Sequence, residues 1–270
     1  MSIPVVDCKG SVLNAANEIM RAIETIGFVY LIDYGMDQKR LNHLYTLTSA
    51  FWSLPIDVKS QFARGTFEHD YNAGYVAPNV EMLDPTNKHE IREAFNLHMI
   101  DAIVSLDDWR GDDRHFLHDT HKFMGQNDNA TTLRLLHYPP LPDDLPPDTQ
   151  RCGEHSDYGT ITLLFQDQIG GLEVQNRKGD FVPAQPVEDS VLVNIGDLLQ
   201  RWTDDRLLAV RHRVLVPHDR ELWKSERQSF AFFVHPDDRS VVKPILDPES
   251  TKYAPVNARA YLDGKFSKTY

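Results

Sequence analysis

Beyond Thr132 the chain breaks into short β-type segments at close spacing: Leu133 to Tyr138, Thr160 to Phe165, Leu172 to Gln175, Val191 to Ile195, Val214 to Val216 and Gln228 to Val234. Gly170-Gly171 reads as a turn between them and Arg177-Lys178-Gly179-Asp180 as a hairpin loop. Short strands packed this closely predict a sandwich or jelly-roll barrel rather than a parallel α/β sheet. One helical interruption is expected, with Asp197 as N-cap for Leu198 to Trp202, just after the apolar run Val191 to Ile195.

The front third has a different texture. Ile3 to Asp7 reads as an opening strand, and Leu13, Ala16, Ile19 and Ile23 recur at helical spacing between Val12 and Ile26. Gly27 ends that helix before the β-rich run Phe28 to Ile32. A second helix is expected from about Gln38 to Phe51, stopped by the Leu54-Pro55 step. Neither an internal repeat nor a linker is visible. The expected fold is therefore mainly β with α: one domain over residues 1–270, in which an N-terminal α/β layer (1–110) packs on a barrel core (131–240).

Composition narrows the function. The 270 residues are 41% hydrophobic and 25% charged, the mix of an ordinary globular protein with a sizeable core. Lysine plus arginine number 28 against 40 aspartate plus glutamate, and a formal charge of -12 disfavours a phosphate backbone as partner. No nucleic-acid partner is expected. No apolar run approaches the roughly 20 residues of a membrane span, and Met1-Ser2-Ile3-Pro4 does not open a secretory signal. Cys8 and Cys152 are too few for a disulfide framework. The expected setting is cytoplasmic, and oligomeric state is not legible.

Five side chains carry the chemistry: His155 and Asp157 as His-x-Asp, then His212, then Arg227 and Ser229 as Arg-x-Ser. Two histidines and one carboxylate are the protein ligands of an open-sided Fe(II) site. His-x-Asp is a cheap motif in a chain with 12 histidines, and it occurs twice, the second copy being His235-Pro236-Asp237. Its proline and its place at a strand end favour a turn there. His155 and Asp157, i and i+2 of an extended segment, would share one face. His212, flanked by Arg211 and Arg213, would alone read as a surface or satisfied histidine. His115, His118 and His121 share one helical face in polar company and read as solvated. Arg227 opens an apolar strand, Phe230 to Val234, where a guanidinium needs an anion. Either an internal salt bridge or a ligand carboxylate, with Ser229 adding a hydroxyl, would supply the partner.

The order and spacing of the longer runs resemble a known family. Leu133-Arg134-Leu135-Leu136-His137-Tyr138-Pro139-Pro140 is followed by His155-Ser156-Asp157-Tyr158-Gly159-Thr160, then Asn194-Ile195-Gly196-Asp197, His212-Arg213-Val214 and Arg227-Gln228-Ser229-Phe230. This pattern resembles the isopenicillin N synthase-like group of 2-oxoglutarate/Fe(II) oxygenases. Phe51-Trp52-Ser53-Leu54-Pro55 with Lys59, Gly74-Tyr75-Val76 and Glu93-Ala94-Phe95-Asn96 extend the likeness to the front half. It implies a distorted double-stranded β-helix, with Fe(II) held by His155, Asp157 and His212. It also implies 2-oxoglutarate held through its distal carboxylate by Arg227 and Ser229, with Tyr138 a further candidate.

The implied activity is a dioxygenase that consumes O2 and 2-oxoglutarate, releases succinate and carbon dioxide, and hydroxylates or desaturates a small organic substrate. Ascorbate is a candidate reductant. A family oxidase that uses no 2-oxoglutarate and a shortened, catalytically silent binding protein are the competing readings. A structural zinc site fits less well, because such sites are closed by four ligands and only Cys152 lies near. One departure stands out: between Trp109 and Thr132 there is little room for the long helix that family members place before the barrel.

Overall fold

Strands hidden on both faces read as continuous apolar runs, and Val191–Ile195, buried at every position, is the clearest case. The computed structural model describes residues 2–67, 72–83, 90–98, 119–146, 148–247 and 249–269. It contains strands β1 (Val5–Asp7), β2 (Phe28–Ile32), β3 (Gly74–Val76), β4 (Glu93–His98), β5 (Thr132–Tyr138) and β6 (Gln150–His155). Strands β7 (Ile161–Gln166), β8 (Leu172–Gln175), β9 (Phe181–Pro183), β10 (Val191–Ile195), β11 (His212–Leu215) and β12 (Arg227–Val234) follow. Eight form one sheet in the order β1-β2-β10-β7-β12-β5-β4-β3, and four form a second in the order β6-β11-β8-β9. The two sheets make the jelly-roll barrel, and the first four strands of the chain extend its larger sheet at both edges.

Apolar side chains from both sheets meet in the space between them. Leu136, Leu192 and Ala231 of the large sheet pack in one cluster with Leu172, Val174 and Val214 of the small one. The outer face of the large sheet is covered by helices α1 (Val12–Thr25), α2 (Gln38–Trp52) and α4 (Asp197–Trp202), with Ile23, Trp52 and Trp202 packed near Leu135, Phe165 and Phe230. A short α3 (Ile56–Lys59) follows α2, and α5 (Ala258–Thr269) closes the chain.

Local chemistry sets the helix ends. Ser11 accepts from the Asn14 N–H to cap α1, and Asp37 from Lys39 to cap α2. Gly27, at φ +81°, is required after α1 because a Cβ there would lie 2.3 Å from Val210 Cγ2.

Three expectations change. The N-cap of α4 is Gly196; Asp197 is its first residue, and its carboxylate instead receives Tyr261 and Lys265 from α5 at 3.0 and 2.7 Å. Strand β11 begins at His212 rather than Val214, so the histidine is part of the ladder. His121 is 4% exposed, against Trp202 and within 3.2 Å of the Thr160 hydroxyl, so it is a core residue and not a solvated one. His115, His118 and the start of the segment expected to lack a long helix lie outside the described residues. Among the described residues no helix is long and apolar enough to cross a membrane.

Candidate metal and cosubstrate site

Strand β6 ends on His155, and antiparallel pairing with β11 sets His212 directly across from it. The two rings stand 4.3 Å apart, centroid to centroid. Asp157 lies two residues beyond His155, just past the end of the strand. Its Oδ1 lies 3.8 Å from His155 Nε2 and 3.6 Å from His212 Nε2. One ligand atom from each of the three falls within 4.8 Å of the others.

The remaining polar atoms of these residues are already engaged. His155 Nδ1 lies 2.8 Å from the Gly153 carbonyl and His212 Nδ1 3.1 Å from that of Val210. A carbonyl can only accept, so each Nδ1 donates and each Nε2 is left with its lone pair toward Asp157. Asp157 Oδ2 accepts from Thr162 Oγ1 and from Asn194 Nδ2, both at 2.6 Å. Two imidazole nitrogens and one carboxylate oxygen thus converge, each oriented from behind, with open space on the far side.

Their protonation suits a cation. Burial lowers His155, and it brings His212 down to about 4, so both rings are neutral near pH 7. Burial would raise Asp157, but His212, His155 and the donors Asn194 and Thr162 outweigh it and hold the carboxylate below its ordinary range. Neutral imidazole and ionised carboxylate are the forms a metal requires. Cys152 approaches His155 on the Nδ1 side, at 4.0 Å, and so cannot complete a closed zinc site with the two Nε2 atoms.

Strand β12 crosses the same cavity, with Arg227, Ser229, Ala231 and Phe233 along its wall. Arg227, 1% exposed, is paired across the ladder with Tyr138, and its guanidinium lies 4.7 Å over that ring. It donates to Ser229 Oγ at 3.2 Å and to Gln166 Oε1 at 3.3 Å, while Nε has no partner. Among the described residues no carboxylate reaches salt-bridge distance of it. The internal salt bridge that would explain a buried arginine is therefore not what holds Arg227.

The second His-x-Asp copy is not a ligand pair. Asp237 accepts from the Phe123 N–H and from Asn129, at 3.0 and 2.9 Å, and belongs to a turn closed by Ser240 N–H on its carbonyl. His235 points elsewhere and lines the cavity. Thr162, Asn194 and Gln166 were not legible as site residues. Only Asn194 left a trace, as an amide inside an otherwise apolar strand, where it must find a partner.

Comparison with known proteins agrees with this geometry. The model of the 2OG-Fe(II) oxygenase superfamily matches residues 129–236, and that of the non-haem dioxygenase in morphine synthesis N-terminal region matches 3–118. The 2-oxoglutarate-dependent dioxygenase ecdK of Aspergillus rugulosus is 30% identical over 90% of each chain. The 2-oxoglutarate-Fe(II) type oxidoreductase ppzD of Metarhizium rileyi is 28% identical, with 94% of this chain aligned to 85% of that protein. That alignment spans 301 positions, more than this whole chain, so the relative carries residues with no counterpart here. A full-length Neurospora crassa protein, solved in complex with alpha-KG and thymine, superposes with a TM-score of 0.82 at 27% identity, covering 99% of this chain and 97% of that one.

The chain belongs to the 2-oxoglutarate/Fe(II) oxygenase superfamily. It is a 2-oxoglutarate-dependent dioxygenase whose cofactors are Fe(II), 2-oxoglutarate and O2.

Proposed function

We propose that His155, Asp157 and His212 hold the Fe(II), and that Arg227 and Ser229 hold the distal carboxylate of 2-oxoglutarate, with Tyr138 as the wall beneath the guanidinium. The observation that carries this reading is Arg227: a guanidinium 1% exposed and, among the described residues, without a carboxylate partner, beside the cavity that the three proposed ligands also line. A buried cation in that state calls for an anion, and a planar fork favours a carboxylate. Bound there, iron and 2-oxoglutarate supply the oxidation of a substrate C–H bond, with succinate and carbon dioxide released.

The chain's own residues set the geometry. Thr162 and Asn194 aim Asp157 Oδ1 inward, and the Gly153 and Val210 carbonyls aim the imidazoles. Phe28, Leu136, Leu164 and Val214 give the cavity an apolar wall. Residues 1–270 would act as one domain, because strands from 1–110 lie in the same sheet as those of 131–240. The substrate is a small molecule, and the likeness to the thymine-bound Neurospora crassa protein makes thymine the first compound to offer. The acidic charge favours neither nucleic acid nor an anionic membrane surface as partner.

Anaerobic titration with Fe(II) and then 2-oxoglutarate tests the assignment. The expected result is the weak visible charge-transfer band of the chelate, present in the wild type and requiring at least tenfold more 2-oxoglutarate in Arg227→Ala. A folded protein that gives no band contradicts the reading.

A further inference from the structure

Among the described residues, the hydrogen-bond partners of the Arg227 side chain are neutral. One end of its fork donates to Ser229 Oγ at 3.2 Å and the other to Gln166 Oε1 at 3.3 Å. Gln166 is the last residue of β7 and is paired with Ser229 across the ladder to β12, so the two acceptors are neighbours in the sheet.

The orientation of the Gln166 amide follows from its partners. A guanidinium can only donate, which turns Oε1 toward Arg227 and Nε2 toward the Tyr30 hydroxyl at 3.3 Å. That hydroxyl, on a residue 3% exposed, donates its own proton to the Gln185 carbonyl at 2.7 Å and therefore receives from the amide. Burial pushes the Tyr30 phenol up to about 12, so the proton stays in place near pH 7. The Gln185 carbonyl, Tyr30, Gln166 and Arg227 thus form one chain of hydrogen bonds in which every donor and acceptor is fixed.

The next residue carries the charge that Gln166 lacks and is turned away. Asp167 accepts from the backbone N–H groups of Gln228 and Ile169, at 2.5 and 3.0 Å. An amide acceptor orients a guanidinium and leaves its charge uncompensated, whereas a carboxylate at the same distance would do both. The side chain at position 166 therefore decides whether Arg227 still needs an anion.

We propose that Gln166 is a positioning residue for the cosubstrate: its neutral amide, tethered by Tyr30, holds the Arg227 fork in place without neutralising it, and so reserves that charge for the distal carboxylate of 2-oxoglutarate. The proposal rests on the assignment of Arg227 to that carboxylate.

The test replaces the amide by its charged isostere. Gln166→Glu should require at least about 100-fold more 2-oxoglutarate to form the anaerobic charge-transfer band, because two carboxylates would compete for one guanidinium. Gln166→Leu should require about tenfold more and Tyr30→Phe about threefold more, the losses expected of a direct and an indirect hydrogen bond. Fe(II) affinity, read by anaerobic calorimetry, should stay at the wild-type value in all three. Without ligands, Gln166→Glu should unfold at a higher temperature than the wild type, because the buried guanidinium acquires its anion, and 2-oxoglutarate should no longer raise that temperature.

A side chain that merely fills space would give the opposite sign, since a carboxylate introduced there would destabilise the fold. With a normal wild-type band that weakens in Arg227→Ala, three results overturn this proposal alone: 2-oxoglutarate affinity in Gln166→Glu within threefold of the wild type, a ligand-free Gln166→Glu that melts lower, or an equal loss of Fe(II) and 2-oxoglutarate binding. No band in the wild type, or a band unaffected by Arg227→Ala, overturns the Arg227 assignment and this proposal with it.

Discussion

Asn194, inside a fully buried strand, donates to Asp157 Oδ2 at 2.6 Å and so leaves Oδ1 as the carboxylate oxygen turned toward His155 and His212. Thr162 donates to the same Oδ2, also at 2.6 Å. One oxygen is saturated by two protein donors, and the other is available.

Removing that support should loosen the metal without removing a ligand. Thr162→Val keeps the shape and deletes one donor, and Asn194→Leu deletes the other. Each is expected to weaken Fe(II) binding about 10- to 100-fold. Isothermal titration under anaerobic conditions measures it, and wild-type affinity in both variants would show that the orientation of Asp157 does not matter.

Arg227 sets function against stability. A buried cation without an anion destabilises the unliganded fold, so Arg227→Met should raise the apo protein's stability by roughly 1–3 kcal/mol. The same substitution should abolish the stabilisation that saturating 2-oxoglutarate gives the wild type, which at 100 times Kd is about 2.7 kcal/mol. Thermal unfolding with and without 2-oxoglutarate measures both effects, and an apo variant less stable than the wild type would contradict the first.

Acid should destabilise the apo protein partly through His235. Its ring titrates near 6.5 when unfolded and is brought to about 3 in the fold by burial. Between those values the unfolded chain binds a proton that the native state refuses, so stability falls as pH falls, by about 1.4 kcal/mol per pH unit from this one group. His235→Leu should flatten the dependence of urea-unfolding stability on pH between 6 and 4. An unchanged slope would mean that the imidazole accepts its proton in the folded state.

Behind β5, Lys59 and Glu93, each 6% exposed, are joined at 2.7 Å, and Glu93 also meets His137 at 2.8 Å and receives the Tyr75 hydroxyl. Glu93→Ala leaves Lys59 buried with no anion and should cost about 3–5 kcal/mol. Adding Lys59→Met to that variant should recover much of the loss. Chemical denaturation of the two variants decides it, and additive losses would contradict the pairing.

The sequence exposed the barrel where burial dictates composition. β5, β7, β10 and β12 must be apolar because they are covered by helices on one side and by the other sheet's side chains on the other. Strand β6, Gln-Arg-Cys-Gly-Glu-His, escaped that reading because only Cys152 joins the apolar core, while Glu154 pairs with Arg211 and His155 faces the site. The proposed ligand set was legible through motif order, but the donors that orient Asp157, Thr162 and Asn194, were not, since they come from two other strands. Asp197 was misread because acceptors at a helix start serve equally well as N-caps or as anchors for another element, here α5. His121 was misread for a different reason. Flanking residues describe a histidine's chain neighbours, and burial is decided by neighbours in space.

The most direct test of the central claim is the fate of oxygen. With 18O2, Fe(II) and 2-oxoglutarate, the wild type should release succinate carrying one labelled oxygen atom, and Asp157→Ala and His212→Ala should release essentially none. Unlabelled succinate, no succinate from a folded iron-loaded protein, or equal labelled succinate from the variants would contradict the assignment of His155, Asp157 and His212 as the iron site of a 2-oxoglutarate dioxygenase.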